Sequence, residues 1–165
     1  MRLDRRLDGL TDVEFLWEPV PGCWTLRQHA TADGGWLLDY DEPPPEPPPL
    51  TTIAWRLLHL ANGNWIYWEH AFGPGARMFT DLVMPRSADE ARRYWRDSRA
   101  PITAWLEAAS DEALEELRPS HDGEPRTAGE VLLILVDEQV HHGAEIALMR
   151  DWYRVQASPA ANPAT

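Results

Sequence analysis

Apolar residues recur along this chain at spacings of three and four, the period of a helix, and the pattern is clearest towards the C-terminus. Thr127 followed three residues later by Glu130 reads as a capping box, and the sequence from Ala128 to about Val155 predicts one long helix. Ile53, Trp55, Leu57, Leu58, Leu60, Trp65 and Ile66 predict a second, capped by Thr51 or Thr52 and ended by Phe72-Gly73-Pro74-Gly75. Ser87 with Glu90 opens a third from Ala88 to about Ala109, in which Pro101 predicts a kink or a break. Shorter pieces surround these. Met1 to Gly9 places Leu3, Leu7 and Leu10 on one face with Arg5 and Arg6 outside, and Thr11 with Glu14 caps one or two turns ending near Trp17. Ser110 starts a short helix that ends near Arg118-Pro119. Pro19-Val20-Pro21-Gly22 stops any helix, and Asp41 to Pro49 predicts an extended, polyproline-like spacer along the surface. No alternation argues for a sheet and no repeat is visible. Three long helical segments after a fragmentary first one predict an all-α bundle: one domain over residues 1–156 and a frayed, disordered tail over 157–165.

Composition narrows the partners. A chain of 165 residues that is 44% hydrophobic suffices for one domain with a core. Fifteen Lys and Arg against 27 Asp and Glu leave a charge of −12, which repels a phosphate backbone and argues against nucleic acid. The longest apolar run, Val131 to Val136, is far below the roughly 20 residues of a membrane span. Cys23 is the single cysteine and Met1 to Arg6 lacks the apolar core of a signal peptide, so the expected location is a reducing cytoplasm. Nine tryptophans within apolar segments are expected in the core or a pocket wall.

The candidate chemistry lies in the last helix, in Asp137-Glu138-Gln139-Val140-His141-His142-Gly143-Ala144-Glu145. Residues four apart share a face, so Glu138 and His142 project side by side on a stripe with Leu135 and Met149. A carboxylate and an imidazole on an apolar stripe are costly unless they pair or bind a cation, and their convergence suits a divalent ion. His141 and Asp137 repeat the spacing on the neighbouring face, and the apolar neighbours favour the first pair without excluding the second. His59, on the apolar face of the Trp-rich helix, is the candidate third ligand, and three protein ligands leave a position open for water or substrate. Each residue alone also has an ordinary reading, a hydrogen-bonded core histidine or an intrahelical pair. Glu145 is either an acceptor for a ligand imidazole or a surface acid. Arg56 and Arg150 either hold a carboxylate near the site or, as the commoner use of such residues, form surface ion pairs, while Cys23 reads as a passive thiol and Trp65, Tyr67 and Trp68 as packing. Gly143 either admits a close helix or is simply tolerated, and His29, His70 and His121 have no supporting context.

The runs Pro21-Gly22-Cys23-Trp24, Thr51-Thr52-Ile53-Ala54-Trp55-Arg56-Leu57-Leu58-His59-Leu60 and His141-His142-Gly143-Ala144-Glu145-Ile146-Ala147-Leu148-Met149-Arg150-Asp151 resemble the DinB-like superfamily. The resemblance implies an up-down-down-up four-helix bundle, often dimeric, with a divalent metal held at one end by three side chains. It would be zinc first, with nickel, iron or manganese as alternatives. The usual ligands are a His on the second helix and a His pair four apart on the last. His59 and His142 match, while Glu138 replaces the first of the pair and makes the site harder and more anionic. The first helix is abbreviated relative to the family, which would leave a seam for a second copy to cover. Characterised relatives include transferases and isomerases that use a low-molecular-weight thiol such as mycothiol or bacillithiol. The implied function is therefore a thiol S-transferase acting on a small electrophile, with His59, Glu138 and His142 as ligands and Glu145 as a catalytic helper. The alternatives are a metal-assisted hydrolase and a non-enzymatic metal-binding stress-response protein.

Overall fold

The computed structural model describes residues 2–28 and 35–158, so His29 and all but the start of the expected C-terminal tail lie outside the described residues. The chain opens with α1 (Arg2–Arg6) and α2 (Asp12–Phe15), then a hairpin of β1 (Leu26–Gln28) and β2 (Trp36–Leu38). The proline-rich segment crosses the surface to α3 (Ile53–Phe72), and a long connection with a single 3-10 turn at Phe79–Asp81 leads to α4 (Ala88–Ala108). There follow α5 (Asp111–Leu114), a minimal hairpin of β3 (Leu117–Arg118) and β4 (Arg126–Thr127), and α6 (Ala128–Ala157). The expected bundle is present, with the two short hairpins added.

Local chemistry starts each helix. Thr11, Thr52, Ser87, Ser110 and Thr127 have extended backbone, and each hydroxyl accepts the N–H three residues on. Each thereby satisfies a donor that the first helical turn leaves orphaned. The reciprocal half of the box forms at Thr127, where Glu130 accepts the Thr127 N–H, whereas Glu14 turns away to bind Arg150. Gly73 ends α3 at a point where a Cβ would sit 2.9 Å from the Glu69 carbonyl oxygen. α4 continues unbroken through Pro101. The carbonyl deprived of its partner is that of Asp97, an exposed residue, and Trp95 and Trp105 hold the helix on either side, Trp105 by packing 4.5 Å from Phe72.

The direction of the helices follows from what each touches. Asn64 donates to Ser98 at 3.0 Å and Phe72 meets Trp105, so α3 and α4 run parallel. His59 faces Glu138 while Ala71 packs on Val131, so α6 runs antiparallel to both. Leu3 lies against Gly143, and Arg6 donates to the Ala147 carbonyl at 2.6 Å, so α1 runs alongside α6 and the order is up, down, down, up. Leu3, Leu7, Phe15, Ile53, Leu57, Trp95 and Ile146 are among the side chains of the continuous core.

Two expectations about the N-terminal region and its anchors are corrected. Arg6 does not project into solvent; it reaches α6 and pairs with Asp151. Arg150 is no surface residue either: it is buried and grips Glu14 with two parallel hydrogen bonds of 2.7 and 2.9 Å, while also donating to the Arg6 and Asp8 carbonyls. This clamp fastens α1 and α2 to α6. Between α1, α4 and α6 an apolar groove of about 910 Å³ stays open, lined by Ile102, Leu106, Leu132, Val136 and Val140 among others. Among the described residues no helix is long and apolar enough to cross a membrane.

Candidate metal centre

His59 is placed by the start of α3. Residues around Trp24 run beside Leu50–Thr52, with Trp24 accepting from the Thr52 N–H at 2.9 Å and donating to the Leu50 carbonyl at 2.9 Å. Thr25 and Thr52 share a hydrogen bond of 2.8 Å, and the Trp55 indole donates to the Asp39 carbonyl at 2.8 Å. Trp55 then stacks on the His59 imidazole, with ring centres 4.8 Å apart and planes 10° from parallel. Trp24 packs on Trp55 and Tyr40 on Trp24, so an aromatic row backs the histidine.

Across from it, α6 supplies Glu138 and His142 one turn apart. The His59 Nε2 lies 3.1 Å from Glu138 Oε2, and the His142 Nε2 lies 3.3 Å from the same oxygen. The two imidazoles stand edge to face at 5.0 Å. One potential ligand atom from each of His59, Glu138 and His142 falls within 4.8 Å of the other two, so these three residues could hold one ion. His141, His142 and Glu145 form a second such group, with His141 the exposed member. Asp137 belongs to neither group and is exposed, so the alternative Asp137–His141 pair is not brought together with His59.

Behind His142 stands a second layer. Its Nδ1 is 2.6 Å from Glu145 Oε2, and the same oxygen meets the Arg56 guanidinium. Arg56 is buried, contrary to the expectation of a surface ion pair; it also donates to the Thr51 carbonyl, and burial lowers its pKa despite the nearby Cys23. Its charge offsets that of Glu145 inside the fold. Of the two uses the sequence offers for Arg56, it is the hold on a carboxylate beside the site that the structure shows, with Glu145 as that carboxylate.

The donor count at His142 is informative. Burial, reinforced by His59, pushes its pKa down to about 4, so the ring is neutral at pH 7 and has one N–H. With that proton given to Glu145 at Nδ1, the Nε2 lone pair faces a carboxylate oxygen with no hydrogen between them. A cation between them relieves that repulsion, and neutral imidazole nitrogens with a carboxylate oxygen are an ordinary donor set for a divalent ion.

Other expected features fall elsewhere. Cys23 is buried and donates to the Val20 carbonyl at 3.0 Å, a passive thiol. Trp65 packs near Tyr94 and Trp68 on Phe72. His70 and His121 gain a context that the sequence did not supply, since they lie near one another and His121 also meets Tyr67 and Phe79.

An all-α up-down-down-up bundle with a His–Glu–His cluster between α3 and α6 defines a class of metal-binding helical proteins. The chain belongs to the DinB superfamily, whose sequence profile matches residues 38–146 and whose members generally bind a divalent metal. No curated protein and no solved structure matches the sequence.

Proposed function

We propose that the protein is a metal-dependent thiol S-transferase acting on a small electrophile, with His59, Glu138 and His142 holding one divalent ion. The observation that carries this reading is the convergence of three side chains from two helices on a point where a neutral imidazole and a carboxylate otherwise face each other unbridged. Two nitrogens and one oxygen suit zinc first, with nickel, iron or manganese as alternatives, and three protein ligands leave room for another. When bound, such an ion lowers the pKa of a coordinated thiol.

The chain's own residues do the rest. Glu145 accepts the His142 Nδ1–H and so holds the Nε2 lone pair towards the ion position, and Arg56 holds Glu145. Glu145 thus helps as a positioning group. Trp55 fixes the plane of His59. The thiol must come from outside, as a low-molecular-weight cosubstrate of the mycothiol or bacillithiol kind, because Cys23 is buried. A hydrolase would need a free base beside the ion; Glu145 is already engaged and Asp137 lies outside the cluster, which favours transfer over hydrolysis. We propose further that the chain pairs with a second copy through the exposed apolar side of α6, where Leu133, Val136, Val140 and Leu148 face solvent. The proposed setting is the cytoplasm.

The test is a thiol-consumption screen against a panel of electrophiles, using protein purified without an affinity-metal step. Turnover that requires both thiol and metal, and that disappears in His59→Ala and His142→Ala, is expected. Turnover independent of thiol would replace this reading with the water-activating one. A metal-loaded protein without either turnover would point to the binding protein instead.

A further inference from the structure

The groove between α1, α4 and α6 takes no part in the metal centre, and its two ends differ. At the α1 end Leu3 closes it against Gly143, where a Cβ would meet the leucine at 3.6 Å. Beyond that, the walls are aliphatic: Ile102 and Leu106 from α4, and Leu132, Leu135, Val136 and Val140 from α6. Arg99 to Leu106 on α4 and Gln139 to Leu132 on α6 are matching two-turn stretches, so the aliphatic part is about 10 Å long. The chain carries nine tryptophans, yet no aromatic side chain lines the groove, which leaves no ring face for a planar ligand to stack on. At about 910 Å³ it has the size of a small-molecule site.

Arg99 lines the groove near the closed end with its charge uncommitted. Its guanidinium lies 4.9 Å over the ring of the fully buried Trp95. Among the described residues it touches no carboxylate and donates no hydrogen bond, whereas Arg6, Arg56, Arg92, Arg118, Arg126 and Arg150, the other arginines that are not exposed, each pair with an acid. Asp4, the acid whose charge Arg99 feels, is bound by Arg92 and Arg96. Gln139 adds to the surplus of donors. The Trp95 indole donates to its amide oxygen at 2.8 Å, and its amide nitrogen is left buried with no acceptor, as is the Nε of Arg6 on the same lining. Glu107, two turns further along α4, lines the other end and holds no cation among the described residues.

We propose that this groove binds a linear aliphatic carboxylate, with its head on the Arg99 guanidinium and its uncharged tail along Ile102, Leu106, Val136 and Val140. The proposal is independent of the metal and of thiol transfer. A carboxylate matches the guanidinium fork with two oxygens, and one guanidinium offsets one negative charge. The net charge of −12 disfavours a polyanionic head or an anionic bilayer surface. Glu107 repels a second carboxylate at the tail end. A second copy is the rival occupant, since Val136, Val140 and Leu148 belong to the face assigned above to pairing and also line the groove.

The experiment is isothermal titration calorimetry of the full chain with decanoate, octanoate, decanol and decanedioate, with and without chelator. Decanoate is expected to bind about 15-fold more tightly than octanoate, about fourfold for each buried methylene, and equally with chelator present. Arg99→Met is expected to weaken decanoate about 10- to 100-fold and to leave decanol within about threefold, which also shows that the variant is folded. Decanedioate is expected to bind more weakly than decanoate, and Glu107→Gln to narrow that gap. No uptake of decanoate by the wild type, or equal losses of decanoate and decanol in Arg99→Met, would overturn the proposal. So would a dimer in sedimentation velocity that takes up no decanoate, which assigns the groove to a second copy, or capture on phosphatidylglycerol vesicles without uptake of free decanoate, which assigns it to a bilayer.

Discussion

His142 lies against two carboxylates with one proton to give, and that mismatch governs the chemistry of the centre. Its depressed pKa sets a sign for pH. Between about pH 6.5 and 4 the unfolded chain takes up a proton at this residue that the ion-free folded protein refuses, so the contribution of His142 to stability falls as pH falls through this window and levels off below about 4. Urea unfolding of chelated protein across this range should show that loss, and His142→Gln should flatten it; an unchanged slope would contradict the buried neutral ring. The layer behind the ring is open to test as well. Arg56→Met and Glu145→Gln should each weaken metal binding about 10- to 100-fold in a chelator competition, because each frees the imidazole to rotate or change tautomer. Equal affinities would reduce both residues to packing. Glu138 and His142 could be read from their spacing on one apolar stripe, and His59 from its place in the Trp-rich run. Which carboxylate Arg56 holds could not, since a lone charge in an apolar run has no visible partner until α6 folds against it. Tyr67 and His121 share that fate, being joined only by a loop far along the chain.

At the level of elements, what was legible is what is local. A hydroxyl that satisfies an N–H three residues on depends on nothing distant, which is why Thr52, Ser87, Ser110 and Thr127 mark helix starts correctly. The two hairpins, of three and two residues per strand, were invisible because pairing that short is held by its surroundings instead of by alternation. Of the two outcomes expected at Pro101, the break does not occur, because its cost falls on a carbonyl that water can reach while packing on both sides holds α4 together. Glu14 looked like half of a capping box and is instead half of the Arg150 clamp. Removing one partner there strands a buried charge, so Arg150→Met should cost about 3–5 kcal/mol, a fall in Tm of roughly 10 °C. A shift under about 2 °C in a thermal melt would show that the N-terminal helices are held by the core alone.

For the molecule as a whole, α6 spreads its apolar residues beyond the face that packs on the core, and Leu133, Val136, Val140 and Leu148 face solvent or the groove beside α4. A helix of that kind is usually covered. Sedimentation velocity should find a dimer that Val140→Glu converts to monomer, and a wild-type monomer would remove the proposed pairing. The metal centre itself is within reach of a single determination: metal per chain in protein purified without an affinity-metal step, for wild type and for His59→Ala, Glu138→Ala, His141→Ala and Asp137→Ala. The account predicts about one divalent ion per chain in wild type, retained in His141→Ala and Asp137→Ala and lost in His59→Ala and Glu138→Ala. Metal that survives loss of His59, or that vanishes with Asp137 instead of Glu138, would contradict it.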